Sequence, residues 1–125
     1  MNQEWSSVSC PDGKIDGLRK AMLRDAERLV SAMGDGKPGE LARLAQQLLA
    51  TAREQFEAEE RRLRDRKAPS LVRHAREHDR FLADLGALVA LASRGDASGL
   101  SALRPERWIP DWLTAHARTD RDLAS

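Results

Sequence analysis

The sequence predicts an all-α fold, an antiparallel up-down four-helix bundle. Helical periodicity of apolar residues runs through nearly the whole chain. Strand signals are scarce: there is no tyrosine, aromatic residues make up 4% of the sequence, and no segment alternates apolar and polar residues for long. Turn-forming clusters cut the chain into four amphipathic segments with short connections, which pack most simply as an up-down bundle.

The first segment is predicted from Lys14 to Met33, with Ile15, Leu18, Met22, Ala26, Leu29, Val30 and Met33 inward. Asp12 or Asp16 suits its start and Gly34 its end. Residues 34–39, Gly-Asp-Gly-Lys-Pro-Gly, read as a turn. The second segment covers Glu40 to Arg66 and presents Leu41, Leu44, Ala45, Leu48, Ala52, Gln55, Glu59 and Leu63 on one stripe. Its acidic residues precede its basic ones, an order that complements the helix dipole. The third begins near Pro69 and ends near Arg94-Gly95; its stripe is Leu71, His74, His78, Phe81, Leu82, Leu85, Leu88 and Ala92. Residues 95–104 read as a loop. The fourth is placed from Pro110 to Ala124, with proline in the first turn and Trp112, Leu113, His116, Asp120 and Leu123 inward.

A chain of 125 residues suits one domain with one core, with an N-terminal arm over residues 1–13. Basic and acidic side chains number 21 and 20, so the net charge of +1 provides no surface built for nucleic acid or anionic lipid. The basic run from Arg61 to Lys67 reads as a solvated helix end. A single cysteine, Cys10, excludes an internal disulfide and a cysteine-based metal cluster. Met1 to Lys14 lacks a basic region followed by an apolar run, and no stretch approaches the ~20 apolar residues of a membrane span. A cytoplasmic location is the expectation. No phosphate-cradling glycine loop or nucleophile motif is present, so no enzymatic activity is expected.

Each predicted stripe carries a polar or ionisable residue: Arg19 on the first, Gln55 and Glu59 on the second, His74 and His78 on the third, His116 and Asp120 on the fourth. Buried polar groups are costly unless paired. A lone inward histidine is more often a satisfied core residue than a ligand. Here all three histidines of the chain are inward, in near-register with carboxylates. His74 and His78, Gln55 and Glu59, and His116 and Asp120 are each separated by four residues, which places each pair on one helix face. Imidazole with carboxylate suits iron, zinc or manganese.

Gln55-Phe56 with Glu59-Glu60, His74 and His78 followed by Phe81-Leu82, and Trp112-Leu113 with His116 and Asp120 together resemble the bacterial hemerythrins. Ile15-Asp16 with Arg19 matches a further family motif, with arginine in place of its histidine, and Trp5 sits where many members carry an N-terminal tryptophan. The resemblance implies a bundle holding two irons. His74, His78 and His116 correspond to the three histidines of one iron; Arg19 and Gln55 stand at the histidine positions of the other; Glu59 and Asp120 correspond to the bridging carboxylates. Asp120 follows His116 by four residues, whereas the family spacing is five, a position occupied here by Arg121. Arginine stays protonated and has no lone pair for a metal.

The expected function is therefore a metal-binding domain with a mononuclear site, liganded by Glu59, His74, His78, His116 and Asp120, with Arg19 and Gln55 at the vacated second position. Iron is the expected ion, one per chain, with zinc or two irons as other outcomes. A sensing role or binding of dioxygen or another diatomic ligand follows, with a homodimer or a fused output domain as possible context. One alternative is a metal-free relic in which Arg19, the carboxylates and the histidines pair among themselves and the domain acts through protein contacts. Another is an altered di-iron site.

Overall fold

In the computed structural model, which describes residues 13–34 and 37–119, the chain is entirely helical, with no strand among the described residues. The helices are α1 (Gly13–Met33), α2 (Pro38–Asp65), α3 (Leu71–Ser93), α4 (Ala97–Leu103) and α5 (Pro105–Thr119). No helix among the described residues is long and apolar enough to cross a membrane. The positions of Asp120, Leu123, Cys10, Trp5 and Asp12 lie outside the described residues.

The amphipathic stripes explain the packing. α2 packs against both α1 and α3, α5 meets α1, and α4 folds against α3. Leu29, Leu44, Leu48, Leu85 and Leu88 form an aliphatic core that excludes solvent. Fully burying one such side chain contributes about 1.5–3 kcal/mol. Asp25 is also buried, and its carboxylate accepts hydrogen bonds from Gln47 Nε2 at 3.1 Å and Thr51 Oγ1 at 2.8 Å, tying α1 to α2.

Chain reversals have specific causes. Pro38 opens α2 within its first turn, where a missing N–H costs nothing. α2 ends with Lys67 in the left-handed region, φ 52°, as Ala68 N–H bonds Leu63 O and Lys67 N–H bonds Arg64 O. α3 ends the same way: Gly95 has φ 66°, Asp96 N–H bonds Leu91 O and Gly95 N–H bonds Ala92 O. This paired arrangement satisfies the last carbonyls of each helix.

Two expectations are corrected at the C-terminal end. Residues 97–103 form a short helix rather than a loop. Asp96 caps it by accepting from Gly99 N–H at 2.8 Å, and Leu100 and Leu103 pack on the core. The last helix begins at Pro105, not Pro110, and Pro110 lies inside it. Arg104, which the following proline disfavours in the right-handed helical region, sits at φ 53° and breaks α4 from α5. An interior proline costs about 3 kcal/mol. The extra turn gained ahead of Pro110 fully buries Ile109, which offsets much of that cost, and leaves Pro110 itself exposed.

Asp96→Ala is expected to destabilise the protein by about 1 kcal/mol through loss of the α4 cap, lowering Tm by roughly 4 °C. Thermal melts followed by circular dichroism test this; an unchanged Tm means α4 does not depend on its cap.

Candidate metal centre

Local helical geometry brings the polar stripe residues to one level of the bundle. Leu18 of α1 packs on Ala58 of α2, so Arg19 stands level with Glu59. Arg19, Gln55, Glu59, His74, His78 and His116 are all buried, at 4% exposure or less. A core of aliphatic side chains has no use for so many polar groups in one place.

Glu59 is the hub. Gln55, one turn earlier on α2, donates from Nε2 to Glu59 Oε2 at 2.6 Å. His116 Nε2 lies 3.2 Å from both carboxylate oxygens, and His78 Nε2 lies 3.3 Å from Oε1. Glu59 Oε1 and His78 Nε2 nevertheless find no hydrogen-bond partner among the described residues, and neither does Gln55 Oε1. Donor atoms of Glu59, His78 and His116 lie within 4.8 Å of one another. Ligands at metal bonds of about 2.0–2.1 Å in tetrahedral arrangement stand roughly 3.3 Å apart, so two of the separations match a shared ion. Neutral imidazole nitrogens and a carboxylate oxygen are also the right donor chemistry. The residues therefore fit a metal ion.

Three of the five predicted ligands come together in this way. His74 is buried one turn before His78, with its ring centroid 6.0 Å from that of His78, and stands outside the close group. Asp120, as noted, is not among the described residues.

Aromatic rings fix the imidazoles. Phe56 stacks on His78 with centroids 4.0 Å apart and planes 2° from parallel. Trp112 stacks on His116 at 4.5 Å and 16°. Phe81 stacks in turn on Trp112 at 4.0 Å, and Trp108 meets Phe81 edge-on at 5.6 Å. Both phenylalanines of the chain and two of its three tryptophans thus pack behind the histidines. Glu60, next to Glu59 in the sequence, also reaches the site: its Oε2 lies 2.8 Å from His78 Nδ1.

The electrostatics oppose protonation of Glu59 and of His74. Burial opposes charge on Glu59 most strongly, but the neighbouring His116 and His78 outweigh it and hold the carboxyl well below its ordinary range. Burial, reinforced by His78 and His116, pushes the His74 imidazole down against the opposing pull of Glu59 and Glu77. Carboxylate and neutral imidazole are the forms that ligate metal.

Compared with protein-family models, with curated proteins and with solved structures, the chain matches none.

Both shifts carry the same sign. The unfolded chain binds protons before the folded one, so the stability they contribute is full at higher pH and is lost as pH falls. For His74 the loss begins as pH drops below its ordinary value of 6.5; for Glu59 it begins below 4.5 and continues toward its lowered folded value. Metal-free protein should therefore melt at progressively lower temperature as pH falls below about 6.5, and His74→Leu should flatten the first part of that decline. An equal slope in the variant, read from melts across the acid range, would remove His74 as its source.

Proposed function

We propose that the chain is a hemerythrin-like, antiparallel up-down bundle whose reduced, mononuclear site takes one iron and serves sensing or the binding of a small ligand such as dioxygen. The observation that carries this reading is Glu59 Oε1. It is buried, sits 3.2–3.3 Å from two imidazole nitrogens, and has no hydrogen bond among the described residues. A carboxylate oxygen facing imidazole nitrogens in the dry interior needs either a ring proton or a shared cation between them, and a metal ion serves both rings at once. The positions of the site residues fit the up-down topology: Arg19 is early in α1, Glu59 late in α2, His78 early in α3 and His116 late in α5.

Two imidazoles with one carboxylate form a donor set shared by non-haem iron(II) and zinc sites, and the resemblance to the hemerythrins supports iron. When bound, the ion supplies coordination positions that the protein leaves open to a small ligand. The chain's own residues orient and shield that place. Gln55 fixes the Glu59 carboxylate, Phe56 and Trp112 fix the imidazole planes, and the aliphatic core keeps bulk water out. Arg19 and Gln55 oppose a second ion. One brings a positive charge, and the other donates its amide N–H to Glu59 Oε2 where a second ion would call for a ligand.

The metal-free reading has one observation in its favour: the 2.6 Å bond from Gln55 already stabilises the carboxylate without an ion. On that reading the domain acts as a protein-interaction or dimerisation module.

Elemental analysis of freshly purified protein, with an absorption spectrum in air, decides between them. About one iron per chain is expected, and His78→Ala should abolish it. A folded protein without metal would replace the proposal with the metal-free reading, and stoichiometric metal in His78→Ala would overturn the ligand assignment. Arg19→His combined with Gln55→His should raise uptake toward two ions per chain; unchanged uptake would show that these two residues do not set the stoichiometry.

A further inference from the structure

Phe56, Glu59 and Glu60 lie within one turn of α2, and each meets a different side of His78. Phe56 covers the ring face, Glu59 Oε1 faces Nε2 at 3.3 Å, and Glu60 Oε2 faces Nδ1 at 2.8 Å. We infer that Glu60 is a positioning residue for the metal centre: by accepting the Nδ1 proton it locks His78 in one tautomer and turns the Nε2 lone pair toward Glu59 Oε1 and the place of the ion. The inference deepens the metal-binding reading and rests on it for the effect on affinity.

An ionised carboxylate only accepts hydrogen bonds. At 2.8 Å the proton between Glu60 and Nδ1 therefore belongs to the ring. A neutral imidazole carries one N–H, so Nε2 is left as an acceptor or ligand atom. This accounts for an otherwise odd feature: Nε2 and Glu59 Oε1 are near neighbours, yet neither has a hydrogen-bond partner among the described residues. The opposite tautomer would point the Nδ1 lone pair at the Glu60 carboxylate. A half-turn of the ring would break the Glu60 bond, and the stacked Phe56 face leaves no tilted compromise. Ligating histidines are commonly held this way by a carboxylate behind the ring.

Glu60 differs from Glu59 in its setting. Its side chain is 25% exposed, against 0% for Glu59, so it can be replaced without emptying the core. It also links the buried ring to the solvent edge of α2.

The test compares wild type, Glu60→Gln and Glu60→Ala, with helicity checked by circular dichroism. Zinc affinity is measured by competition with a chelating dye. The His78 tautomer is read by nitrogen-15 NMR of metal-free protein at mildly alkaline pH. Glu60→Ala should weaken zinc binding by roughly 10–100-fold and release the ring to a mixture of tautomers. Glu60→Gln, which retains an acceptor oxygen, should show a smaller loss. Unchanged affinity with an unchanged tautomer in Glu60→Ala would overturn the inference, and so would an Nε2–H ring in wild type. If wild type takes up no zinc while its ring is Nδ1–H and that preference vanishes in Glu60→Ala, the positioning role stands and the metal-binding reading fails.

Discussion

A carboxylate with no exposed surface sits at the centre of this bundle, and the surrounding architecture has to answer for it. Removing an ion from water costs several kcal/mol even after the protein relaxes. Glu59 meets that cost with groups from three helices: Gln55 from its own, His78 from α3 and His116 from α5. None of these groups is near Glu59 in the unfolded chain except Gln55. The charge can therefore be tolerated only when α2, α3 and α5 are all docked, which couples the polar centre to the assembly of the fold.

The remainder of the interior divides by chemistry. Around residues 29, 44, 48, 85 and 88 the core is leucine, which packs densely and specifies little beyond volume. Near Glu59 it becomes aromatic. Flat rings constrain the planes of the imidazoles stacked on them, and such pairs contribute about 0.5–1.5 kcal/mol beyond their buried area. In a chain with so few aromatic residues, their concentration behind His78 and His116 means that ring orientation matters there, not only the exclusion of water. Orientation is what separates a ligating histidine from one that merely fills space.

Much of this was legible from periodicity. The inward stripes of the first three long helices follow a 3.6-residue repeat strong enough to identify Glu59, His78 and Leu88 as buried without any tertiary information. The C-terminal third was harder because local chemistry and packing disagree there. Gly95-Asp96-Ala97-Ser98-Gly99 has the composition of a turn, yet Asp96 uses it as a cap and Leu100 and Leu103 hold the resulting helix to the core. Pro105 and Pro110 are equally good first-turn residues in isolation, and only the burial of Ile109 selects the former. The four-residue spacing of His74 and His78 shows a shared face, but not which of them reaches Glu59. One helical turn, about 5.4 Å of rise, separates the two and leaves His74 outside the close group. The partners of Asp25 and Glu60 do not show in the sequence for a related reason: what holds each is on a neighbouring helix or a neighbouring ring, invisible to a stripe drawn on one helix.

On the proposed reading, the two departures from the family pattern act in the same electrostatic direction. A pair of divalent ions needs a surplus of negative or lone-pair donors around it. Here a buried arginine stands level with Glu59, and the Gln55 amide N–H donates to Glu59 Oε2. Both changes add positive potential at this level and leave Oε1 facing the Nε2 atoms of His78 and His116. Loss of ligands alone would weaken both metals, since the bridging carboxylate would be left loose. Substitution by a hydrogen-bond donor does something different, because it holds Glu59 in the orientation a single ion requires while closing the second place. If the site holds one ion, as proposed, Gln55 is part of that one-ion site and not the remnant of a two-ion site.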